Sequence, residues 1–152
     1  MNAIGQAGAA LAAELSALRR ELHQNPELAS HEHRTAAKIA ELLIQMGCEV
    51  QQNVGGTGVI GILRNGEESP VVALRADMDA LPITEEANHN YISKNPGVMH
   101  ACGHDAHMTC LIGAMRILAQ HRDCWHGTVK AIFQPAEEIV AGARDMIREG
   151  VM

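Results

Sequence analysis

Met99-His100-Ala101-Cys102-Gly103-His104-Asp105-Ala106-His107 packs one thiol, three imidazoles and one carboxylate into nine residues. Cys102 and His104 lie two apart, so in an extended or looped backbone both side chains point the same way and can reach one ion. Gly103 between them lets the chain bend close. A thiolate beside an imidazole suits zinc, accepts manganese, cobalt or nickel, and suits magnesium and calcium poorly. A lone buried His or Cys is ordinarily packing. Several in so short a stretch, flanked by Gly instead of an apolar run, point to ligation. A disulfide reading fits poorly, because Cys48, Cys102, Cys110 and Cys124 show no short paired spacing and follow no secretory signal. Cys48, Cys110 and Cys124 are expected as small buried hydrophobes.

Two acidic pairs could serve the same centre. Val71-Val72-Ala73-Leu74 reads as a strand covered on both faces, and it delivers Arg75-Ala76-Asp77-Met78-Asp79 at its carboxyl end. Open α/β sheets hold ligands at that end of their strands. Asp77 and Asp79 can therefore face one site together, the alternative being two solvated turn aspartates. Glu137-Glu138 follow a second buried strand, 127–134, through Pro135. Adjacent carboxylates diverge on a regular strand, but in a loop at a strand end both can turn to a common point. One can then coordinate while the other moves protons. Exposed Glu-Glu pairs are common, so this pair gains weight only from its place beside the Cys/His cluster.

The elements that must position these groups alternate in period. Leu11, Leu15, Leu18 and Leu22 mark one face of a helix that ends before Pro26. A second helix is expected from Ser30 as N-cap, with Glu32 in its first turn, through Ile39, Leu42, Leu43 and Met46 to Gly47. His23, His31 and His33 straddle the Pro26 break and that helix start, and are read as surface or capping residues. Residues 48–54, 59–63 and 71–76 read as strands, and Asn65-Gly66 predicts a hairpin over 59–76, so the sheet is not purely parallel. A long loop over 84–98 leads into the cluster. Asp105 then caps a helix at about 105–121 with Met108, Leu111, Ile112, Met115 and Leu118 inside, and a last helix lies near 141–149.

Composition narrows the function. The 152 residues are 47% hydrophobic, which suits one globular domain. With 12 basic against 18 acidic residues the formal charge is −6, and Tyr91, Trp125 and Phe133 are the only aromatics. Both the basic patch and the stacking platform of a nucleic-acid surface are missing. No stretch reaches the length of a membrane span, and the Ala-rich N-terminus carries no basic leader, so no membrane role and a cytoplasmic location are expected.

Taken together, Arg75-Ala76-Asp77-Met78-Asp79-Ala80-Leu81-Pro82, the 99–107 cluster and Phe133-Gln134-Pro135-Ala136-Glu137-Glu138 resemble the metal-dependent amidohydrolases that include hippurate hydrolases, N-acyl-amino-acid amidohydrolases and indoleacetyl-amino-acid hydrolases. Leu22-His23-Gln24-Asn25-Pro26-Glu27-Leu28 and the segment from Gly142-Ala143 to Glu149-Gly150 extend the likeness over nearly the whole chain. The resemblance implies an α/β catalytic domain: a three-layer, mixed but mostly parallel sheet with helices on both faces and two divalent ions (Zn, Mn, Co or Ni) at the strands' carboxyl ends. It implies Cys102, His104 and Glu138 as metal ligands and Glu137 as general base and acid. Asp77 stands where wider relatives carry a ligand histidine, so Asp77 and Asp79 are assigned a supporting role that orients ligands. Asp105 and His107, within the cluster, are candidates for the same role.

The implied reaction is hydrolysis of N-acyl amino acids, a small-molecule substrate class, by an enzyme that is a homo-oligomer when complete. Members of the family are longer, with two further ligand histidines beyond the equivalent of Met152 and a smaller dimerisation domain. Residues 1–152 are thus expected to be the N-terminal portion of an incomplete catalytic domain, lacking the C-terminal half. A dipeptidase or aminopeptidase of the same superfamily and a catalytically incomplete metal-binding fragment are the alternatives.

Overall fold

The computed structural model describes residues 3–66 and 69–152. In chain order the elements are α1 (Ala3–Gln24), α2 (His33–Gln45), β1 (Glu49–Val54), β2 (Gly58–Asn65), β3 (Val71–Asp77), α3 (His104–Gln120), β4 (Gly127–Gln134) and α4 (Gly142–Arg148), with a single 3-10 turn at Arg122–Cys124. The strands form one mixed sheet in the order β1-β2-β4-β3. Alternation along the central strands sorts the core into two layers. Val59, Leu63, Val129, Ala131 and Phe133 face α1–α3 and meet Ile39, Leu43, Met108, Ile112 and Met115. Ile60 and Ile132 face the other way, onto Val54, Met146 of α4 and Val151. Helices thus cover both faces of a mixed sheet, as the α/β class requires. None of the described helices is long and apolar enough to cross a membrane.

Three local expectations are corrected. The pairings β1·β2 and β2·β4 are antiparallel and β3·β4 parallel, so parallel pairing does not dominate among these strands. The hairpin expected at Asn65-Gly66 does not form, because β4 inserts between β2 and β3. The Asn65 amide instead donates to the carbonyls of Arg122 and Trp125, on the connection into β4; Glu67 and Glu68, on the link from β2 to β3, lie outside the described residues. The tight hairpin joins β1 to β2 through Gly55-Gly56, both at positive φ, a pair the sequence displays openly. Finally, β3 is an edge strand whose Val71 and Val72 are 62% and 49% exposed, with burial reached only at Ala76.

Helix starts also differ from expectation. Ser30 sits at φ 65 and does not cap α2; the Glu27 carboxylate accepts the N–H groups of Arg34 and Thr35 at 3.0 and 2.7 Å in its place. Gly103 (φ 89) is the N-cap of α3, and Asp105 lies in its first turn with its carboxylate turned elsewhere. Cys48 is half-buried, and Cys110 and Cys124 are exposed, against the expectation of three buried thiols. Cys48, between α2 and β1, packs against the edge of the main core, whereas Cys110 on α3 and Cys124 in the 3-10 turn are on positions that the core does not cover.

Candidate metal centre

Parallel pairing of β3 with β4 builds the centre. Asp77 is in register with Gln134, and the N–H of Met78 donates to the Gln134 carbonyl at 2.9 Å, so both strands end at one edge. Asp79 and Glu137-Glu138 leave that edge side by side, 59 residues apart in sequence, and α3 presents Cys102-Gly103-His104 to the same point. One donor atom each from Cys102, His104 and Glu138 gathers within 4.8 Å of the others. That spacing admits one ion at bonds of about 2.0–2.3 Å. The Glu138 Oε1 atom is buried with no hydrogen-bond partner and lies 4.0 Å from His104 Nε2, an orphaned acceptor facing an imidazole. A cation of zinc type fits this set, since it would satisfy the orphaned carboxylate oxygen and the imidazole together.

Asp79 orients two of the three donors. Its carbonyl oxygen lies 2.8 Å from His104 Nδ1, and its carboxylate Oδ2 accepts the backbone N–H of Glu138 at 2.9 Å. With Nδ1 pinned as the N–H, the His104 Nε2 lone pair is left for the centre. Burial of Asp79 opposes its charge but is outweighed by His104 and by the N–H groups of Glu138 and Glu137, which hold the carboxyl below its ordinary value. The bond to Asp79, against an opposing effect of burial, raises His104 from 6.5 to about 9. Burial and then the carboxylates of Glu138, Glu137 and Asp77 push the Cys102 thiol up.

The two glutamates occupy different surroundings. Glu138 is 19% exposed, whereas Glu137 is 38% exposed, with Oε2 at 3.9 Å from His104 Nε2. Their loop is strained and tightly held: Ala136 and Val140 both adopt positive φ, and the N–H groups of Ala141 and Gly142 reach back to the Ala136 carbonyl. The fully buried Glu32 fixes its start, accepting the Ala136 N–H at 2.8 Å and the Thr57 hydroxyl at 2.5 Å. Sequence reasoning missed Glu32, 104 residues from its partner, because no local pattern links them. Gly142 closes the loop: a Cβ there would lie 1.7 Å from the Pro135 carbonyl oxygen. Gly142→Ala is expected to destabilise the fold by about 1–3 kcal/mol and to weaken zinc binding by displacing Glu138; urea unfolding and a zinc titration measure the two effects.

The remaining candidates are placed less centrally. Asp77 pairs with Arg75, 2.7 Å from its Nη2, and acts on Cys102 and His104 through its charge. His107 is exposed, its ring centred 6.0 Å from that of His104. Asp105 faces away, bonded to His23 and Arg19. His31 and His33 are exposed as expected, but His23 is buried, because its two nitrogens meet carboxylates from opposite sides. Beside Glu137 an open groove is lined by Arg75, Gln134, Val140, Arg144, Ile147 and Arg148.

The sequence profile described as "Peptidase family M20/M25/M40" matches residues 73–152, more than half the chain and all the residues of this centre. The chain belongs to that family. The M20 chain is 49% identical over 135 residues to IAA-amino acid hydrolase ILR1-like 5 of Arabidopsis thaliana, covering 89% of this chain and 31% of that one. It is 45% identical over 141 residues to the hippurate hydrolase of Campylobacter jejuni, covering 93% and 36%. It superimposes with a TM-score of 0.89 and 46% identity on the YXEP protein of Bacillus subtilis, described as a dinuclear metal-binding peptidase from the M20 family, over 94% of this chain and 40% of that one. The chain thus spans about a third of the length of the curated relatives it matches. The family resemblance carried by the three motifs is borne out.

Proposed function

We propose that residues 1–152 form the N-terminal portion of the catalytic domain of a metal-dependent hydrolase that splits the amide bond of N-acyl amino acids. The observation that carries this reading is the convergence of the Cys102, His104 and Glu138 donors beside the more exposed carboxylate of Glu137. Cys102, His104 and Glu138 would hold the metal, with Asp79 orienting His104 and Glu138. Two divalent ions of the zinc, manganese, cobalt or nickel type, when bound, supply an acidified water and polarise the substrate carbonyl. Glu137 accepts the proton of that water and later delivers it to the departing amine, so that a carboxylic acid and a free amino acid leave. The groove beside Glu137 suits this class: Arg75, Arg144 and Arg148 offer guanidinium groups to a substrate carboxylate, and Val140 and Ile147 offer apolar surface to an acyl group. The thiol of Cys102 suits a reducing cytoplasm.

Three protein donors cannot complete two coordination spheres. Residues 1–152 by themselves are therefore expected to hydrolyse hippurate at least about a hundredfold more slowly than the Campylobacter hippurate hydrolase, since even slack of about 1 Å in a catalytic site has that effect. Assays with added manganese, zinc or cobalt measure this, and equal turnover would overturn the ligand count. A hybrid in which these residues replace the matching segment of that relative tests the reading itself. Hydrolysis of N-acyl amino acids by the hybrid supports it; a hybrid that binds metal yet leaves every N-acyl amino acid intact refutes it.

A further inference from the structure

A second group of metal-type donors lies away from Cys102, His104 and Glu138. His23, in the last turn of α1, is buried, with Nδ1 2.8 Å from Asp105 Oδ2 and Nε2 3.1 Å from Glu85 Oε1. His89 Nε2 lies 3.1 Å from the same Glu85 oxygen, while the other Glu85 oxygen accepts the backbone N–H of Ser93 at 2.6 Å. The His89 ring is held by stacking on Tyr91, with centroids 3.8 Å apart. The loop that carries Glu85 and His89 is without regular structure, yet the Glu85 side chain, like that of His23, is only 3% exposed.

Both His23 nitrogens face carboxylate oxygens, and an ionised carboxylate has no hydrogen to donate. The arrangement therefore needs positive charge on the imidazole or beside it. Arg19, with Nε 2.7 Å from Asp105 Oδ2, already compensates Asp105, which leaves the charge of Glu85 to be matched. Two imidazole nitrogens converge on the one Glu85 oxygen, and the three donor atoms all lie within 4.8 Å of one another. Neighbour separations of 3.1 Å approach the roughly 3.3 Å that bonds of about 2.0–2.1 Å produce around a tetrahedral ion. Asp105 takes the Nδ1 hydrogen of His23 and leaves Nε2 to coordinate, the carboxylate–histidine pairing that stands behind metal-bound imidazoles. His89, 29% exposed, gives the position a path to solvent.

We infer that His23, Glu85 and His89 form a second metal site, separate from Cys102, His104 and Glu138, that binds one zinc-like divalent ion and clamps the 78–103 loop to α1. Two imidazoles and a carboxylate select zinc, cobalt, nickel or copper over magnesium and calcium. The ion has a structural role with consequences for the first centre. The clamped loop carries Asp79 near its start and Cys102 near its end, and Asp105, behind His23, directly follows His104.

The test uses cobalt(II) alone on the full 152-residue chain, because a thiolate bound to cobalt absorbs in the near ultraviolet and a set of two imidazoles and a carboxylate does not. His89→Leu, on a partly exposed loop, is expected to lower bound cobalt by one equivalent and to leave the thiolate band intact. Cys102→Ser is expected to do the reverse, abolishing the band while one sulfur-free equivalent remains, and adding Glu85→Gln should then remove that equivalent. Unchanged cobalt content in His89→Leu, or complete loss of cobalt in Cys102→Ser, overturns the second site. Neither arm depends on turnover, so the hydrolase reading stands or falls separately.

Discussion

Glu137→Gln, made in the hybrid enzyme, is expected to lower turnover by about a hundred- to ten-thousand-fold, the range a positioned general base supplies. Its zinc content should stay as it was. The amide keeps the size of the carboxylate but cannot take a proton from water. Glu137 is the more exposed of the pair and reaches toward His104 Nε2 at 3.9 Å, so it can meet substrate without being a ligand. Glu138→Ala should behave differently. It removes the buried, unpartnered Oε1 that completes the three-donor cluster, so metal affinity falls together with turnover. Metal analysis after dialysis and steady-state rates on hippurate separate the two roles, and equal metal loss in both variants would reverse or abolish the division.

Zinc affinity of the Cys102–His104–Glu138 cluster is expected to climb steeply with pH. Coordination needs a thiolate and a neutral imidazole, so binding expels one proton from each. His104 is raised from 6.5 to about 9 by its bond to Asp79, and Cys102 is pushed above the ordinary thiol value by burial and three carboxylates. Each expelled proton contributes about tenfold per pH unit, hence about a hundredfold per unit where both groups are protonated. That window runs up to a pH of about 9, above which His104 is already neutral and the slope halves on a logarithmic scale. In the metal-free chain the same shift carries the opposite sign. Protonated His104 stabilises the fold fully below pH 6.5, and that contribution is lost as pH rises through about 9. Asp79→Asn should move the break in slope toward the ordinary imidazole value, because the carboxylate that holds the proton is gone. Competition titrations with a chromophoric chelator across this range measure the slope, and an affinity independent of pH would show that neither proton is displaced.

Much of this protein was legible in the chain alone. Periodicity located eight elements, since apolar spacing reflects which side of each element is buried and that is a local property. The i, i+2 spacing of Cys102 and His104 identified a shared direction for two donors, and the three motifs carried the family. Tertiary structure decided the rest. Asn65-Gly66 is a strong local turn signal, but the competing interaction was a full ladder with β4, seven residues long and distant in sequence, and it prevailed. The buried positions of Glu32 and His23 were equally hidden. A carboxylate's partner is whichever N–H or imidazole the fold brings to it, and Ala136 stands 104 residues from Glu32 while Asp105 stands 82 from His23. Residue types and short spacings set what chemistry each group could perform. Which groups meet, and at what pKa, depended on the parallel register that ends β3 and β4 at one edge, a pairing between distant segments that no local pattern encodes.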